Sequence, residues 1–332
     1  MAELKNKRYE RIAVEEGFVI PEINQIQRQQ TPSYAAQTTP MRQGIFRSLL
    51  DLGDGRIKTM DEDGIQMQVC ILAGNIIQDI DPVQGNELAE LANLRLAEAA
   101  KKYPDRITGF AAFAPRDPKR AASVLERGIK THKLIGGMIN SHSLGEYLDD
   151  KKFWPIFEAL QAMDVPIYIH PRDPSPQMFE PFNVMGFKVG WSWAAEVGTH
   201  VIRLIGAGVF DQFPRLKIVI GHMGEGLPFH LDRIDNRYYW EHEMAGAAPM
   251  LKRKPSDYVR DNIIVTTSGM NFSPPLLMTI QMVGIDNVLF AADYPFENVQ
   301  DSVAAIDNLA LSDRDKEKIY SKNAKRVFKL KH

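Results

Sequence analysis

Short apolar, β-branched runs alternate with longer amphipathic stretches along almost the whole chain. The runs are RIAVEE (11–16), MQVCILA (67–73), ITGFAAFA (107–114), IGGMIN (135–140), PIYIHP (166–171), KIVIGH (217–222), IIVTTSG (263–269) and VLFAADYP (288–295). Each is nearly continuous in its apolar residues, as strands buried on both faces are. Between them, NELAELANLRLAEAAKKY, PKRAASVLERGIKTH and KKFWPIFEALQAM read as helices. A last helix, SDRDKEKIYSKNAKRVFKL, opens with Ser312 and Asp315 in capping-box spacing. Strands alternating with helices predict a parallel sheet covered by helices. Eight of them at this length predict a closed α/β (β/α)8 TIM barrel rather than an open doubly wound sheet. No glycine-rich dinucleotide fingerprint follows the first run, which also disfavours the open sheet. No linker, low-complexity tract or short repeat divides the chain, so 1–332 is expected to be a single barrel domain.

Composition narrows the function classes. A formal charge of −2 gives no reason to expect nucleic acid or an anionic membrane as partner. The first eleven residues are polar and charged, without a secretory apolar core, and no apolar run is long enough to span a bilayer. The chain therefore reads as cytoplasmic. Its single cysteine, Cys70, excludes an internal disulfide framework; inside an apolar run with nothing basic beside it, it reads as a small buried hydrophobe.

The chemistry lies where the runs end. Glu15 closes the first run, Asn140 the fourth, His170 the fifth, His222 the sixth and Asp293 the eighth. In a barrel the C-terminal strand ends converge on one mouth, so residues far apart in sequence meet there. Singly, each has a structural explanation: a hydrogen-bonded core histidine, or a turn aspartate before Tyr294-Pro295. Jointly they predict a metal or catalytic site. Glu15, His170 and Asp293 supply two carboxylates and one imidazole, a set suited to Mn²⁺, Zn²⁺ or Fe²⁺, with the oxygen-rich balance leaning to Mn²⁺. His222 is either a fourth ligand or an acid/base. Glu225, three residues on in GHMGEGLP, is placed to orient it and raise its basicity, and it also reads as an N-terminal helix residue; both readings can hold. Glu16 is expected to face away from Glu15, in a structural ion pair. Two stretches, Pro21 to about Arg42 and Arg172 to about Gly190, read as long mouth loops.

With these residues in view, the chain resembles the amidohydrolase superfamily. Within it, the chain is similar to the branch of aminocarboxymuconate semialdehyde decarboxylase and the non-oxidative hydroxybenzoate decarboxylases. LLDLGDGRIKTMD, KYPDRITGFA, INSHSLGEYLDD, DVPIYIHPRDP, GVFDQFPRLKIVIGHMGEGLPF, VTTSG, DYPFEN and NAKRVFKL carry the resemblance across nearly the whole chain. The first-strand motif of the branch varies from His-x-His to Glu-x-His and Glu-x-Ala, and EEGF is nearest the last. The resemblance implies a carboxy-lyase holding one Mn²⁺ or Zn²⁺ per chain, with no organic cofactor. It would remove CO₂ from an aromatic acid with an ortho hydroxyl, such as 5-carboxyvanillate or a hydroxybenzoate. It assigns the metal to Glu15, His170 and Asp293, and the proton to Asp293 assisted by His222 and Glu225. Because a cation favours an ionised carboxylate, His222 is an alternative proton source. The resemblance also implies a homodimer or homotetramer, with Arg233 reaching a neighbouring subunit's substrate; the plain reading of Arg233 is a surface helix arginine. Arg42 matches a family arginine more loosely. The ring-reading positions, Ala73, Asn75, Phe296 and Arg172 in HPRDP, mix features of the carboxyvanillate and resorcylate enzymes.

The rival enzyme class is metal-dependent hydrolysis of a lactone, amide or ester. Glu-x-Gly in the first run and Asn140 in place of a lysine disfavour a binuclear hydrolase. A decayed, non-catalytic barrel would lack a ligand, and all four are present. His132, His200, His230 and His242 are expected to cap, pack or face solvent. His142 could line the pocket, and Trp191 and Trp193 are either a wall for an aromatic ligand or core.

Overall fold

The structure is a computed structural model and describes residues 9–30, 39–184, 186–248 and 250–330. Its strands are β1 (Ile12–Phe18), β2 (Met67–Leu72), β3 (Ile107–Gly109), β4 (Ala111–Ala112), β5 (Gly137–Asn140), β6 (Ile167–His170), β7 (Ile218–Ile220), β8 (Ile263–Thr266) and β9 (Val288–Leu289). All pair in parallel and in sequence order, as βαβ units require. The predicted third run is split at Phe110. The Phe110 N–H turns to Cys70 O on β2, while the next amide, Ala111 N–H, turns to Gly136 O beside β5. One run thus links both neighbours, and the eight predicted runs remain eight staves. Closure comes from Val14 N–H to Phe290 O at 3.0 Å and Gly17 N–H to Tyr294 O at 2.7 Å, which join β1 to the segment following β9.

The apolar residues of the runs fill the barrel and the layer beneath the helices. Where a short strand leaves amides unpaired, buried asparagines on the helices supply partners. Asn93 takes Ala112 N–H on its Oδ1 and donates to Ala112 O, and Asn86 does the same for Ala114. These polar side chains inside an apolar helix face are satisfied, as buried polar groups must be.

Three expectations are corrected. The stretch after β1 is not a loop throughout: it contains helices Pro21–Gln30 and Pro40–Leu50, and its residues 31–38 lie outside those described. The stretch after β6 holds a helix at Pro176–Phe182 and a π turn at Lys188–Ser192. The last predicted helix is interrupted by a π turn at Lys318–Lys322, which leaves Ile319 O free to accept Phe290 N–H at 2.9 Å. Its Ser312 cap is present, with Asp315 N–H on Ser312 Oγ. No helix among the described residues is long and apolar enough to cross a membrane.

Arg56 ties the helix layer to the barrel. It is 1% exposed and forms no ion pair among the described residues. Its guanidinium is solvated by protein acceptors instead: Asp51 O at 2.6 Å, Gly17 O at 2.6 Å, Gln68 Oε1 at 3.0 Å and Ser48 O at 3.2 Å. It also approaches Cys70 Sγ at 3.8 Å, so a base does sit beside that thiol. Burial still pushes the thiol up to about 11, and it remains inert. Arg56→Met leaves several of these acceptors buried and unpaired, so urea unfolding should show a loss of at least about 3 kcal/mol.

Candidate metal centre and active site

Each predicted group stands at the mouth on a local backbone device. In β1 the pairing jumps from Val14–Val69 to Glu16–Cys70, leaving Glu15 as the extra residue of a bulge at φ 88°. The bulge turns Glu15 inward. Its Oε2 accepts Thr266 Oγ1–H at 2.8 Å and the Ser268 hydroxyl, both at the end of β8. Its Oε1 is buried and takes no hydrogen bond from any described residue. Only a glycine at 221 leaves that oxygen room, because a Cβ there would stand 2.7 Å from it.

His170, at the end of β6, is set by Asn140 at the end of β5. Asn140 donates its amide N–H to Gly74 O at 2.9 Å, so its Oδ1 faces His170 Nδ1, also at 2.9 Å. Nδ1 must then carry the proton, and Nε2 is left as a lone-pair donor, 3.8 Å from Glu15 Oε1. Burial pushes the His170 imidazolium down to about 4, against the pull of Glu15, so the ring is neutral at pH 7 as a ligand must be.

After β7 the chain makes a left-handed turn: His222, Met223, Gly224, Glu225 and Gly226 have φ of 49°, 56°, 84°, 54° and 78°. For the three non-glycine residues this costs roughly 1–2 kcal/mol each. The turn brings Glu225 Oε1 to 2.8 Å from His222 Nδ1 and leaves His222 Nε2 3.9 Å from Glu15 Oε1. Glu225 therefore holds an imidazole and is not the helix-dipole residue of the plainer reading; the helix begins after it, at Leu227. Burial alone would push the His222 imidazolium down. Glu225, Glu15 and Asp293 outweigh it and raise the group to about 10.

Asp293 also has a left-handed backbone, at φ 55°. Burial and the nearby Glu15 hold its carboxyl well above the usual range, with His222 pulling the other way. Ligand atoms of Glu15, His170 and Asp293 all lie within 4.8 Å of one another. A bare buried carboxylate oxygen, a neutral imidazole with its lone pair turned in, and a second acid disfavoured as an anion fit a divalent cation. His222 stands beside this group with its proton.

The remaining sequence-predicted residues divide. Phe296 lies at the mouth, 46% exposed, near Gly17. Ala73 follows β2, with its amide on Phe18 O. Asn75 donates to Asp79. Asp79 takes Arg172 in a two-point pair at 3.0 and 2.8 Å, so both are committed to protein partners. Arg42 lies over the Phe46 ring. Arg233 is exposed on helix Leu227–Met244 and makes no hydrogen bond or ion pair among the described residues.

His142 is buried, its Nδ1 taking Gly145 N–H and its Nε2 bonded to Asp173 O, so it braces loops instead of lining a pocket. Trp193 donates to Asp173, whereas Trp191 is 66% exposed and not core. His230 and His242 lie on the helix surface and His132 just past a helix end, as expected. Glu16 is in no ion pair among the described residues: its carboxyl group accepts the backbone amides of Ala292 and Tyr294. Thr266 and Ser268, which hold Glu15, are absent from the sequence-predicted site; their one signal is a pair of hydroxyls at the strand end in VTTSG.

A profile of the amidohydrolase family matches residues 56–330. The γ-resorcylate decarboxylase of a Polaromonas species is 40% identical over 85% of this chain and 89% of its own length. The 5-carboxyvanillate decarboxylase of Novosphingobium aromaticivorans, solved with manganese and 4-hydroxy-3-methoxy-5-nitrobenzoic acid, superposes with a TM-score of 0.93. It is 36% identical and covers 99% of this chain and 98% of its own. The dihydroxybenzoic acid decarboxylase of Polaromonas, solved with manganese and 2-nitroresorcinol, has a TM-score of 0.86 at 35% identity, covering 97% of each chain.

The chain belongs to the amidohydrolase family. Within that family it stands among the decarboxylases, as a carboxy-lyase, and its site is of the divalent-metal type.

Behind the family's barrel mouth a second, metal-free network fixes the β5 and β6 loops. Fully buried Glu196 accepts Ser141 Oγ–H at 2.9 Å, Tyr147 O–H at 2.9 Å and Ser175 N–H at 3.0 Å. His200 takes Leu148 N–H on Nε2 at 3.2 Å, so its Nδ1 donates to Ser141 Oγ at 3.1 Å. Burial pushes the His200 imidazolium down to about 3, with His142 and Arg203 pushing the same way. The unfolded chain therefore binds a proton at His200, near pH 6.5, that the fold excludes. The stabilisation is complete above about pH 6.5 and is lost as pH falls toward 3, with a slope of up to about 1.4 kcal/mol per pH unit. Urea unfolding between pH 7 and pH 5 should show this loss in the native chain and a shallower slope in His200→Gln.

Proposed function

We propose that the chain decarboxylates an aromatic acid carrying a hydroxyl ortho to the carboxylate, with Glu15, His170 and Asp293 as the metal ligands. The observation that carries this reading is the bare, buried Oε1 of Glu15 inside a group of ligand atoms within 4.8 Å of one another. These three residues would hold a divalent cation, which would supply positive charge to offset the phenolate and carboxylate of the substrate. Two carboxylates and one imidazole lean toward Mn²⁺ relative to a three-histidine site, and they also accept Zn²⁺.

The residues of the chain do the rest. Glu225 keeps His222 charged, so His222 Nε2 carries a proton at the mouth. That proton passes to the ring carbon bearing the carboxylate, helped by electron density from the ionised hydroxyl. The bond to the carboxylate then breaks, CO₂ leaves, and its electron pair restores the aromatic ring. Asp293, beside His222 in charge and space, anchors the site and assists the transfer. Phe296, Ala73 and Asn75 stand where ring substituents are read. Arg233 points from an exposed face that also carries Phe229 and Met244, 73% and 69% exposed. We place that face against a second copy, whose substrate carboxylate Arg233 meets.

CO₂ release from 5-carboxyvanillate, γ-resorcylate and 2,3-dihydroxybenzoate by Mn²⁺-loaded protein tests the reaction. One substrate should turn over, chelation should stop it, and added Mn²⁺ should restore it. Asp293→Asn should abolish release, and His222→Gln should lower kcat about 10²–10⁴-fold. Silence across the panel with metal bound would overturn the reading and turn attention to lactones and amides. For Arg233, mixed subunits decide. Arg233→Ala and Asp293→Asn, each inactive alone, should recover roughly a quarter of native activity on random mixing, since about half of the dimers are hybrids and each hybrid has one intact site. No recovery on mixing would remove the shared site.

A further inference from the structure

Beside Glu15 lies a second acid that the proposed chemistry does not use. Glu16 is fully buried, and its two oxygens divide two amides: Ala292 N–H on Oε1 and Tyr294 N–H on Oε2, both at 3.1 Å. Those amides belong to the residues immediately before and after Asp293. Gly17 N–H, next along β1, donates to Tyr294 O, so the same segment is gripped at a third point. On its other side Glu16 meets Gln68 Nε2 at 3.5 Å, and Gln68 is itself held by Arg56. A left-handed backbone is uncommon for any residue with a Cβ, although aspartate tolerates it better than most, and at Asp293 β1 supplies a clamp on both flanking amides.

We infer that Glu16 is the positioning residue for Asp293, spanning its two flanking amides so that the Asp293 carboxylate stays beside Glu15 and His170. This rests on the proposed ligand role of Asp293. It assigns the two adjacent acids separate tasks: Glu15 presents an oxygen to the metal, and Glu16 holds the backbone that presents another. A glutamine at 16 would offer one acceptor oxygen and turn its NH₂ toward the other amide. An aspartate is a methylene too short to span both.

Mn²⁺ binding to metal-free protein, followed by calorimetry, separates positioning from bulk stability. Glu16→Gln and Glu16→Asp should each bind Mn²⁺ about 10–100-fold more weakly while keeping the native far-UV circular dichroism. Asn93→Asp breaks a comparable buried clasp on Ala112, away from the mouth; it should lower the Tm yet leave Mn²⁺ affinity within about twofold. Asp293→Asn, run alongside, tests the ligand role itself. If it binds Mn²⁺ normally, that reading fails. If it loses Mn²⁺ while the Glu16 variants do not, the positioning role fails. Equal loss in Asn93→Asp would reduce Glu16 to a stability residue. Should the Glu16 variants not fold, amide exchange in the metal-free native protein decides. The Ala292 and Tyr294 amides should be protected, and exchange at open-loop rates would overturn the inference.

Discussion

The site depends on how β1 meets the end of the barrel. Between the two closing hydrogen bonds, β1 advances from Val14 to Gly17 while the opposite segment advances from Phe290 to Tyr294. The longer side carries Asp293 in a left-handed turn, and β1 answers on its other edge with the bulge at Glu15. A regular strand pair would keep both acids in the ladder and alternate them across the sheet. The mismatch in length turns one residue from each side into the mouth. Barrel closure and the placement of these two acids are thus one geometric fact.

That placement concentrates negative charge. Glu15, Glu225 and Asp293 crowd a buried mouth whose cationic partner among them is His222, with Arg56 one layer behind Glu16. Burial pushes Asp293 strongly toward its neutral form, and repulsion from Glu15 in this low-dielectric setting adds to it. Thr266 and Ser268 relieve one oxygen of Glu15 and leave the other bare. A divalent cation held by Glu15, His170 and Asp293 would supply the positive charge that these side chains lack.

Much of this was legible in the residues. Near-continuous apolar runs fixed the stave count, and acids or imidazoles at the ends of RIAVEE, PIYIHP, KIVIGH and VLFAADYP marked the mouth. What the residues did not show depends on backbone detail. Alternation along a strand predicts that Glu16 faces away from Glu15, which it does, but not that its partners are amides rather than a cation. The π turn at Lys318–Lys322 answers an unpaired amide on Phe290, a tertiary demand with no local signature. Arg56 sits in LLDLGDGRIKTMD like any helix arginine. Its burial follows from carbonyls that β1 and the preceding turn leave unpaired.

The left-handed turn from His222 to Gly226 shows what kind of strain this barrel tolerates and where. Three non-glycine residues sit in a disfavoured region, yet the turn is anchored at both ends. Gly224 N–H returns to Gly221 O at 2.8 Å, and a buried carboxylate closes on the imidazole it must hold. A right-handed turn would place residues at i and i+3 on one helix face pointing back toward the strand. The left-handed one leaves His222 Nε2 near Glu15 and keeps Glu225 on the far ring nitrogen. His170 is handled the same way from a different direction, with Asn140 on Nδ1 and Nε2 turned inward. In both imidazoles the outer nitrogen is spoken for by protein. The two differ in the charge of that partner: a neutral amide leaves His170 a lone-pair donor, and a carboxylate makes His222 a proton carrier.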